Sequence, residues 1–167
     1  MAIPVWQVGQ VLSASDVNTW FIPVAVKKTS NTARASNTSI TSDPQLTLPV
    51  AANADYKFEA LILFNGAASA SDFQWRFTVP SGAVMNYTCP HADATGTLVG
   101  ISIVYNAPSV LTSQTTGTGN DRSATMTGML TTAATAGNLV FQWAQNTSNG
   151  TATTVETGSY LYLQRCG

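Results

Sequence analysis

The feature that most constrains the fold is a strict alternation of apolar and polar residues over residues 72–79. Because successive side chains of an extended chain point to opposite faces, this alternation predicts a β-strand with one face in a hydrophobic core. Residues 55–60 repeat the pattern, with Tyr56, Phe58 and Ala60 on one face. The core-facing residues of the first segment are Phe73, Trp75, Phe77 and Val79.

Other segments extend the same pattern through the chain. About eight strands separated by Gly, Pro, Asn and Ser are typical of all-β domains. The sequence therefore predicts an antiparallel β-sandwich or jelly roll over residues 23–167. The remaining predicted strands are residues 24–28, 45–50, 98–105, 123–131, 138–143 and 159–165.

Residues 1–22 differ from this pattern and form a predicted N-terminal arm. Ser13 followed three residues later by Asp16 indicates the start of a helix, which we expect to end before Pro23. Such a short helix is unstable alone, so its apolar side chains need a surface, either on their own domain or on another protein. These residues are Trp6, Val11, Leu12, Val17, Trp20 and Phe21.

Two predicted strands have apolar residues on both faces: residues 98–105 and the end of residues 56–64. Both faces then need cover, from a loop, the arm or a neighbouring copy. We favour a neighbouring copy because only 9% of the residues are charged, and subunit interfaces are depleted in charge. The predicted interface residues are Leu61, Leu63, Val99, Ile101, Ile103 and Tyr105.

Charge and hydropathy exclude several classes. Seven basic and eight acidic residues leave no basic surface for nucleic acid. The apolar runs are far shorter than the roughly 20 residues that span a bilayer, so we expect no membrane association. The first residues lack a basic segment followed by an apolar one, which predicts synthesis in a cytoplasm without secretion. Cys89 and Cys166 are then expected to be free thiols.

The sequence offers little for catalysis. His91 is the only histidine, and no nucleophile-elbow motif accompanies it. The carboxylates Asp43, Asp55, Asp72 and Asp121 stand at predicted turns or strand starts, where structural roles explain them. Residues 89–93 hold Cys, His and Asp in one loop, which is a weak metal signal. We expect no enzymatic activity, no metal and no cofactor.

Three stretches together resemble a known family. Residues 6–20, WQVGQVLSASDVNTW, are similar to a leader of the form W-x-x-G-x-x-L-[ST]-A-x-D-[LV]-N. Residues 136–148, AGNLVFQWAQNTS, and 158–165, GSYLYLQR, are similar to the last two strands of the same proteins. The chain thus resembles, nearly end to end, the small virion proteins of tailed phages that infect actinobacteria.

The resemblance implies a virion structural protein on the particle exterior, made in the host cytoplasm, as capsid decoration, head fibre or minor tail protein. The arm would anchor the subunit to the major capsid or tail protein, and the sandwich would project as a homo-oligomer, a trimer. The six apolar arm residues are the predicted anchors because buried aromatics concentrate binding energy. The alternative is a receptor- or glycan-binding tail appendage that contacts the host through residues 67–71 and 111–120.

Overall fold

The computed structural model describes residues 6–100 and 103–167 and confirms the predicted all-β sandwich. These residues contain one helix, α1 (Ala14–Trp20), and fourteen strands. The strands are β1 (Val24–Lys27), β2 (Thr32–Arg34), β3 (Thr41–Val50), β4 (Asp55–Gly66), β5 (Phe73–Thr78), β6 (Val84–Thr88), β7 (His91–Ala92), β8 (Leu98–Val99), β9 (Val104–Asn106), β10 (Leu111–Ser113), β11 (Gly117–Thr131), β12 (Gly137–Gln145), β13 (Thr153–Val155) and β14 (Tyr160–Arg165).

Eight of these strands form a jelly roll. In chain order they are β3, β4, β5, β6, β9, β10, β11 and β12. One sheet has the order β10-β5-β12-β3, and the other contains β4-β11-β6-β9. Numbered from one to eight, the orders are 6-3-8-1 and 2-7-4-5, which is the double Greek key of a jelly roll. Beyond β4, the larger sheet continues with β14 and then β1. β13 also pairs with β4, and β2 pairs with β13.

The prediction of one continuous strand over residues 98–105 is wrong. Its first part is β8, which pairs with β7, and its last part is β9, which pairs with β6. Gly100 lies between them with a φ of 83°, and a Cβ added there would stand 2.1 Å from the Cys89 carbonyl oxygen. Such a left-handed backbone in close contact with another chain segment interrupts a strand.

Other strand boundaries also differ from those predicted. β3 begins before Pro44 rather than after it, because it is an edge strand paired only with β12 and edge strands tolerate proline. β11 begins at Gly117, in a stretch of Gly, Asn and Asp whose composition indicates a turn. Five strands were not predicted, and each has only two to five residues, too few for an alternation of apolar and polar residues to be recognised. They are β2, β6, β7, β10 and β13.

Aromatic side chains between the two sheets fill the core. The alternation in β5 is confirmed, since Phe73, Trp75 and Phe77 are completely buried. The Phe73 ring stacks on Phe64 with centroids 4.4 Å apart, and Phe77 meets Phe58 edge to face at 5.2 Å. Offset and edge-to-face pairs at these distances add to the energy of area burial. The core therefore joins β5 of one sheet to β4 of the other.

A buried ion pair also joins the two sheets. Lys28, which follows β1, places its Nζ 3.0 Å from a carboxylate oxygen of Asp43 in β3, and both side chains are completely buried. The ammonium group also donates to Thr32 Oγ1 at 2.6 Å. The carboxylate accepts hydrogen bonds from Trp143 Nε1 at 3.0 Å and from the Gln45 and Leu46 amides. Asp43 is thus a buried cross-sheet residue rather than a turn residue.

Removing either partner of this pair should strongly destabilise the protein. We expect Lys28→Met and Asp43→Asn each to lower the free energy of unfolding by about 3–5 kcal/mol, because the remaining group is buried without its counter-charge. Equilibrium unfolding in urea measures the change. The exposed pair Lys57–Glu59, 2.7 Å apart, provides the control, and Glu59→Gln should leave the midpoint nearly unchanged. Equal losses in Asp43→Asn and Glu59→Gln would contradict this role.

Candidate functional site

The N-terminal arm contains the predicted short helix, which begins with a complete capping box. The Asp16 amide donates to Ser13 Oγ at 3.1 Å, and the Ser13 amide donates to Asp16 Oδ2 at 3.0 Å. The Ser13 hydroxyl also donates to Asp16 Oδ2 at 2.6 Å, and this bond, with the one from the Ser13 amide, lowers the pKa of the Asp16 carboxyl group. The helix ends at Trp20, before Pro23. Local sequence therefore determines where this helix begins and ends.

One side of the arm packs on the end of β14. The Arg165 guanidinium lies over the Trp20 ring, 4.5 Å from its centroid, and Gln164 Nε2 donates to the Trp20 carbonyl at 3.2 Å. The Trp6 and Phe21 rings are 6.4 Å apart. Trp6, Val17 and Trp20, three of the six predicted anchoring residues, are half-buried. The arm is thus partly covered by its own domain.

Several other apolar side chains of the arm are exposed to solvent. Val11 is 88% exposed, Phe21 54% and Leu12 44%. Val8 and Ile22, which the sequence analysis did not select, are also exposed. We call these five residues the arm surface: Val8, Val11, Leu12, Phe21 and Ile22. Val8 and Ile22 could have been selected from the sequence because they are apolar. Only the structure shows that they are exposed while Trp20 packs on β14.

An open groove of about 240 Å³ lies beside the arm surface. Ile22 and Val24 form one wall, and residues of β4, β14 and the end of β3 form the rest. Arg165 and Asn18 are the polar groups that line it. No sequence pattern indicated this groove, because its walls come from segments more than a hundred residues apart in the chain. The groove extends the apolar character of the arm onto the sandwich. It is lined by Asn18, Ile22, Val24, Pro49, Ala51, Tyr56, Leu163 and Arg165.

The predicted interface residues lie in two separate places. Leu61 and Leu63 are half-buried on the outer face of β4. Val99 belongs to the small hairpin, Ile103 is 51% exposed beside β9, and Ile101 lies outside the described residues. β9 is three strands from β4 in the sheet, a distance of about 14 Å.

Tyr105, the sixth predicted interface residue, has a different environment. Its ring lies 6.0 Å from the Tyr87 ring and 6.1 Å from the His91 ring, and it packs against the hydrophobic core. The larger sheet therefore brings Leu61 and Leu63 together but keeps them apart from the residues near β9.

The larger sheet has further exposed apolar residues on its outer face that the sequence analysis did not select. Val104 and Met129 stand on the same face as Lys57 and Glu59, in neighbouring rows of the β-ladder. Val84 lies in the next row and is 57% exposed. Thr and Asn side chains occupy much of the remaining face. Alternation in β6 and β11 could have indicated these positions once the strands were known.

His91 and Cys89 are buried at the base of the β7–β8 hairpin. The His91 ring meets Trp75 edge to face at 5.3 Å, and its Nδ1 is 2.8 Å from the Cys89 carbonyl oxygen. Burial raises the pKa of the Cys89 thiol to about 12. In residues 6–100 and 103–167, no three His, Cys, Asp or Glu side chains are placed to share a metal ion. No described helix is long and apolar enough to cross a membrane.

The prediction of a loop over residues 111–120 is wrong in part, because residues 111–113 form β10 and β11 begins at Gly117. The short connection between these strands lies beside residues 67–71, the other segment predicted to contact a host. The Ser69 amide donates to the Thr115 carbonyl at 3.0 Å, and Thr115 Oγ1 donates to the Ala67 carbonyl at 2.6 Å. Gln114 Nε2 donates to Ser69 Oγ at 3.0 Å. Residues 67–71 follow Gly66 at the end of β4, whereas the groove beside the arm is at Tyr56, near the start of the same strand. The ten residues between correspond to about 33 Å along the strand, so arm and loops occupy opposite ends.

Comparison with known proteins gives only distant similarities. No protein-family model matches the sequence, and no curated protein matches it. Among solved structures, the tripod from the baseplate of bacteriophage Tuc2009 is similar over 99% of this chain and 75% of that chain, with 12% identity and a TM-score of 0.38.

Structures of infectious bursal disease virus are also similar. The Gx strain matches 87% of this chain and 40% of that chain at 10% identity and a TM-score of 0.27. The VP2 subviral particle matches 98% and 47%, at 13% identity and a TM-score of 0.23. With TM-scores below 0.5, these similarities carry no conclusion about what the chain does.

The two cysteines should differ sharply in reactivity. Cys166 is exposed and Cys89 is buried, with a raised thiol pKa that keeps the reactive thiolate scarce at neutral pH. We expect Ellman's reagent to titrate one thiol per folded chain and two after denaturation. In the control Cys166→Ser, the folded protein should be almost unreactive. Fast reaction of both thiols in the folded protein would show that Cys89 is accessible.

Proposed function

We propose that the protein is a non-enzymatic virion structural protein, an oligomeric jelly roll attached to the exterior of a phage particle through residues 1–22. The observation that carries this proposal is the arm surface, five exposed apolar side chains on a capped helical arm. Large apolar side chains exposed close together in the sequence favour a protein-binding role for this arm. The sequence resemblance supports capsid decoration or a head fibre as the specific role, with synthesis in the host cytoplasm.

The placement of the arm supports this division between anchor and projecting domain. Trp20 and Arg165 hold the helix on the sandwich, while Val11, Leu12 and Phe21 remain available to a partner. The arm and the loops after β4 occupy opposite ends of the molecule. A subunit bound through its arm would therefore present these loops to the outside. The partner we propose is the major capsid or tail protein of the particle.

A structural rather than catalytic role is supported by the environment of the chemically reactive groups. His91 is buried against Trp75, and its Nδ1 lies within hydrogen-bond distance of a carbonyl oxygen. Asp43 is paired with Lys28 inside the sandwich. A catalytic group must reach its substrate, and neither of these side chains is accessible from solvent.

The outer face of the larger sheet is the surface we propose for contact between copies. Leu61 and Leu63 are the proposed interface residues of this face. Val99, Ile101, Ile103 and Tyr105 also remain proposed interface residues, although Val99 belongs to the small hairpin and Tyr105 packs against the core. Exposed Val104 and Met129 support a contact here, because they add apolar area to a face with few charges. A trimer would carry three arms and dock with avidity.

Charged substitutions on the arm surface should abolish docking. In Val11→Asp/Leu12→Asp, both changes precede the Ser13 cap, so the helix should form while the apolar contact is lost. We expect at least about a tenfold loss of occupancy, since buried apolar anchors dominate interface energy. Electron microscopy and quantitative mass spectrometry of purified particles measure occupancy.

The matched control is Val110→Asp, because Val110 is 50% exposed on a loop outside the arm. Its occupancy should equal that of the unmodified protein. Full occupancy by the arm variant would refute anchoring through residues 1–22. Absence of the unmodified protein from purified particles would refute a virion role.

The oligomeric state can be measured separately. Size-exclusion chromatography with light scattering should give a mass three times that of the 17.5 kDa chain. The interface buries apolar area on a sheet face, so the assembly should persist at high salt. A stable monomer at micromolar concentration would contradict the proposed trimer without bearing on the arm.

The alternative function is a receptor- or glycan-binding tail appendage that contacts the host through residues 67–71 and 111–120, and the contact between these two segments supports it. Two surface segments that stabilise each other suit a binding surface. Adsorption of particles with and without the protein distinguishes the two functions. Unchanged adsorption with a less robust capsid supports decoration, and lost adsorption supports the appendage.

A further inference from the structure

The guanidinium group of Arg122 has few hydrogen-bond partners compared with the other arginines. Within the part of the chain that the structure describes, this group makes one hydrogen bond, from Nη2 to Gln114 Oε1, and it is long, at 3.3 Å. The Nε atom is buried and has no hydrogen-bond partner among residues 6–100 and 103–167. The ion pairs of the same residues are Lys28–Asp43 and Lys57–Glu59, so Arg122 has no carboxylate partner there. A buried donor left unpaired is costly and calls for an explanation.

The other arginines of the chain do not share this lack. Arg34 donates to the carbonyls of Thr41, Ser42 and Trp143, and its guanidinium lies 4.1 Å from the centroid of the Trp143 ring. Arg76 Nε donates to Gln142 Oε1 at 2.8 Å. Arg165 stacks on Trp20 and donates to the Gly167 carbonyl. Arg122 is therefore distinguished by a buried Nε that no group of the described residues satisfies.

Arg122 lies at the end of the sandwich opposite the arm, next to the two segments predicted to contact a host. Arg122 is paired with Phe64 in the ladder between β11 and β4, close to where β4 ends. Gln114 connects Arg122 to the loop above, since its Nε2 donates to Ser69 Oγ. Gly96 of the β7–β8 hairpin also contacts Gln114, because a Cβ added there would lie 2.7 Å from Oε1. Three chain segments thus converge next to one arginine.

The acidic groups of this end are engaged elsewhere. Asp121 and Glu156 both accept hydrogen bonds from Asn65 Nδ2, at 2.8 and 2.6 Å. Asp93 accepts bonds from Thr95 and Thr97 within its own turn. Asp72 accepts from the Thr115 amide at 3.4 Å. The positive charge of Arg122 is therefore not neutralised by a direct carboxylate contact in the described part of the chain.

We propose that Arg122, Gln114 and Ser69 form a binding site for an anionic saccharide. A planar guanidinium group suits a carboxylate or phosphate, to which its two terminal nitrogens can donate two parallel hydrogen bonds. The buried Nε of Arg122 takes no part in this contact. The exposed Ser69 hydroxyl and the half-buried Gln114 amide are uncharged groups of the kind that bind sugar hydroxyls. The site goes beyond the proposed anchoring function, because it lies at the end opposite the arm.

Three probes that share one sugar ring test this site. Sodium glucuronate carries a carboxylate, glucose 6-phosphate carries a phosphate, and glucose carries neither. We expect millimolar glucuronate, glucose 6-phosphate or both to shift the amide resonances of Ser69, Gln114 and Thr115 in two-dimensional NMR spectra, and glucose to leave them in place. The difference between the two anionic probes identifies the preferred oxyanion.

Substitutions show whether Arg122 is the group responsible. Arg122→Gln should weaken binding at least about tenfold, because a charge-assisted hydrogen bond is lost. The matched control is Arg76→Gln, which removes an arginine that also bonds a glutamine side chain but lies in the other sheet; its binding should be unchanged. If Arg122→Gln does not fold, Ser69→Val on the exposed loop takes its place and should also weaken binding.

Four results would overturn the proposal. No shift with either anionic probe would exclude the site, and equal shifts with glucose would exclude a role for the anion. Equal shifts with sodium acetate would show an adventitious ion only. Unchanged binding in Arg122→Gln would exclude this arginine. None of these results bears on particle attachment, which depends on the arm at the other end.

Discussion

The buried ion pair between Lys28 and Asp43 is the interaction on which the arrangement of the two sheets most depends. Lys28 follows β1 of the larger sheet, and Asp43 lies in β3 of the smaller one. Trp143 of β12 bonds the same carboxylate, so three strands meet at one charged group. A charge buried between sheets is tolerated only when it is paired and hydrogen-bonded, so this contact favours the observed position of one sheet on the other.

The buried ion pair and the aromatic core hold the two sheets together, which leaves the two ends of the sandwich available for different contacts. At one end, the start of β4 and the end of β14 support the arm through Trp20 and Arg165. At the other, the end of β4 leads into the loops around Gln114 and Arg122. A jelly roll suits this division because its strands run between the two ends and its loops collect there. The proposed attachment site and the proposed ligand site therefore lie at different ends of one core.

The low charge of the chain has several structural explanations. Two of its fifteen charged residues form the buried pair, and Arg34 is half-covered by Trp143 and backbone carbonyls. Much of the outer face of the larger sheet is neutral, with Thr and Asn beside Val104 and Met129. Such a face dissolves less well than a charged one and favours contact with another protein surface. Scarcity of charge is therefore consistent with an assembled protein.

Sequence alone determined the fold class, the inward face of β5 and the start of α1, because alternation and capping are local effects. It misplaced residues 98–105, where the close contact of Gly100 with Cys89 breaks the strand, and it assigned Asp43 to a turn. Only the tertiary structure shows which apolar residues of the arm are exposed. Only the tertiary structure places Arg122 beside Gln114. Those properties arise from contacts between residues distant in the chain, which no local pattern records.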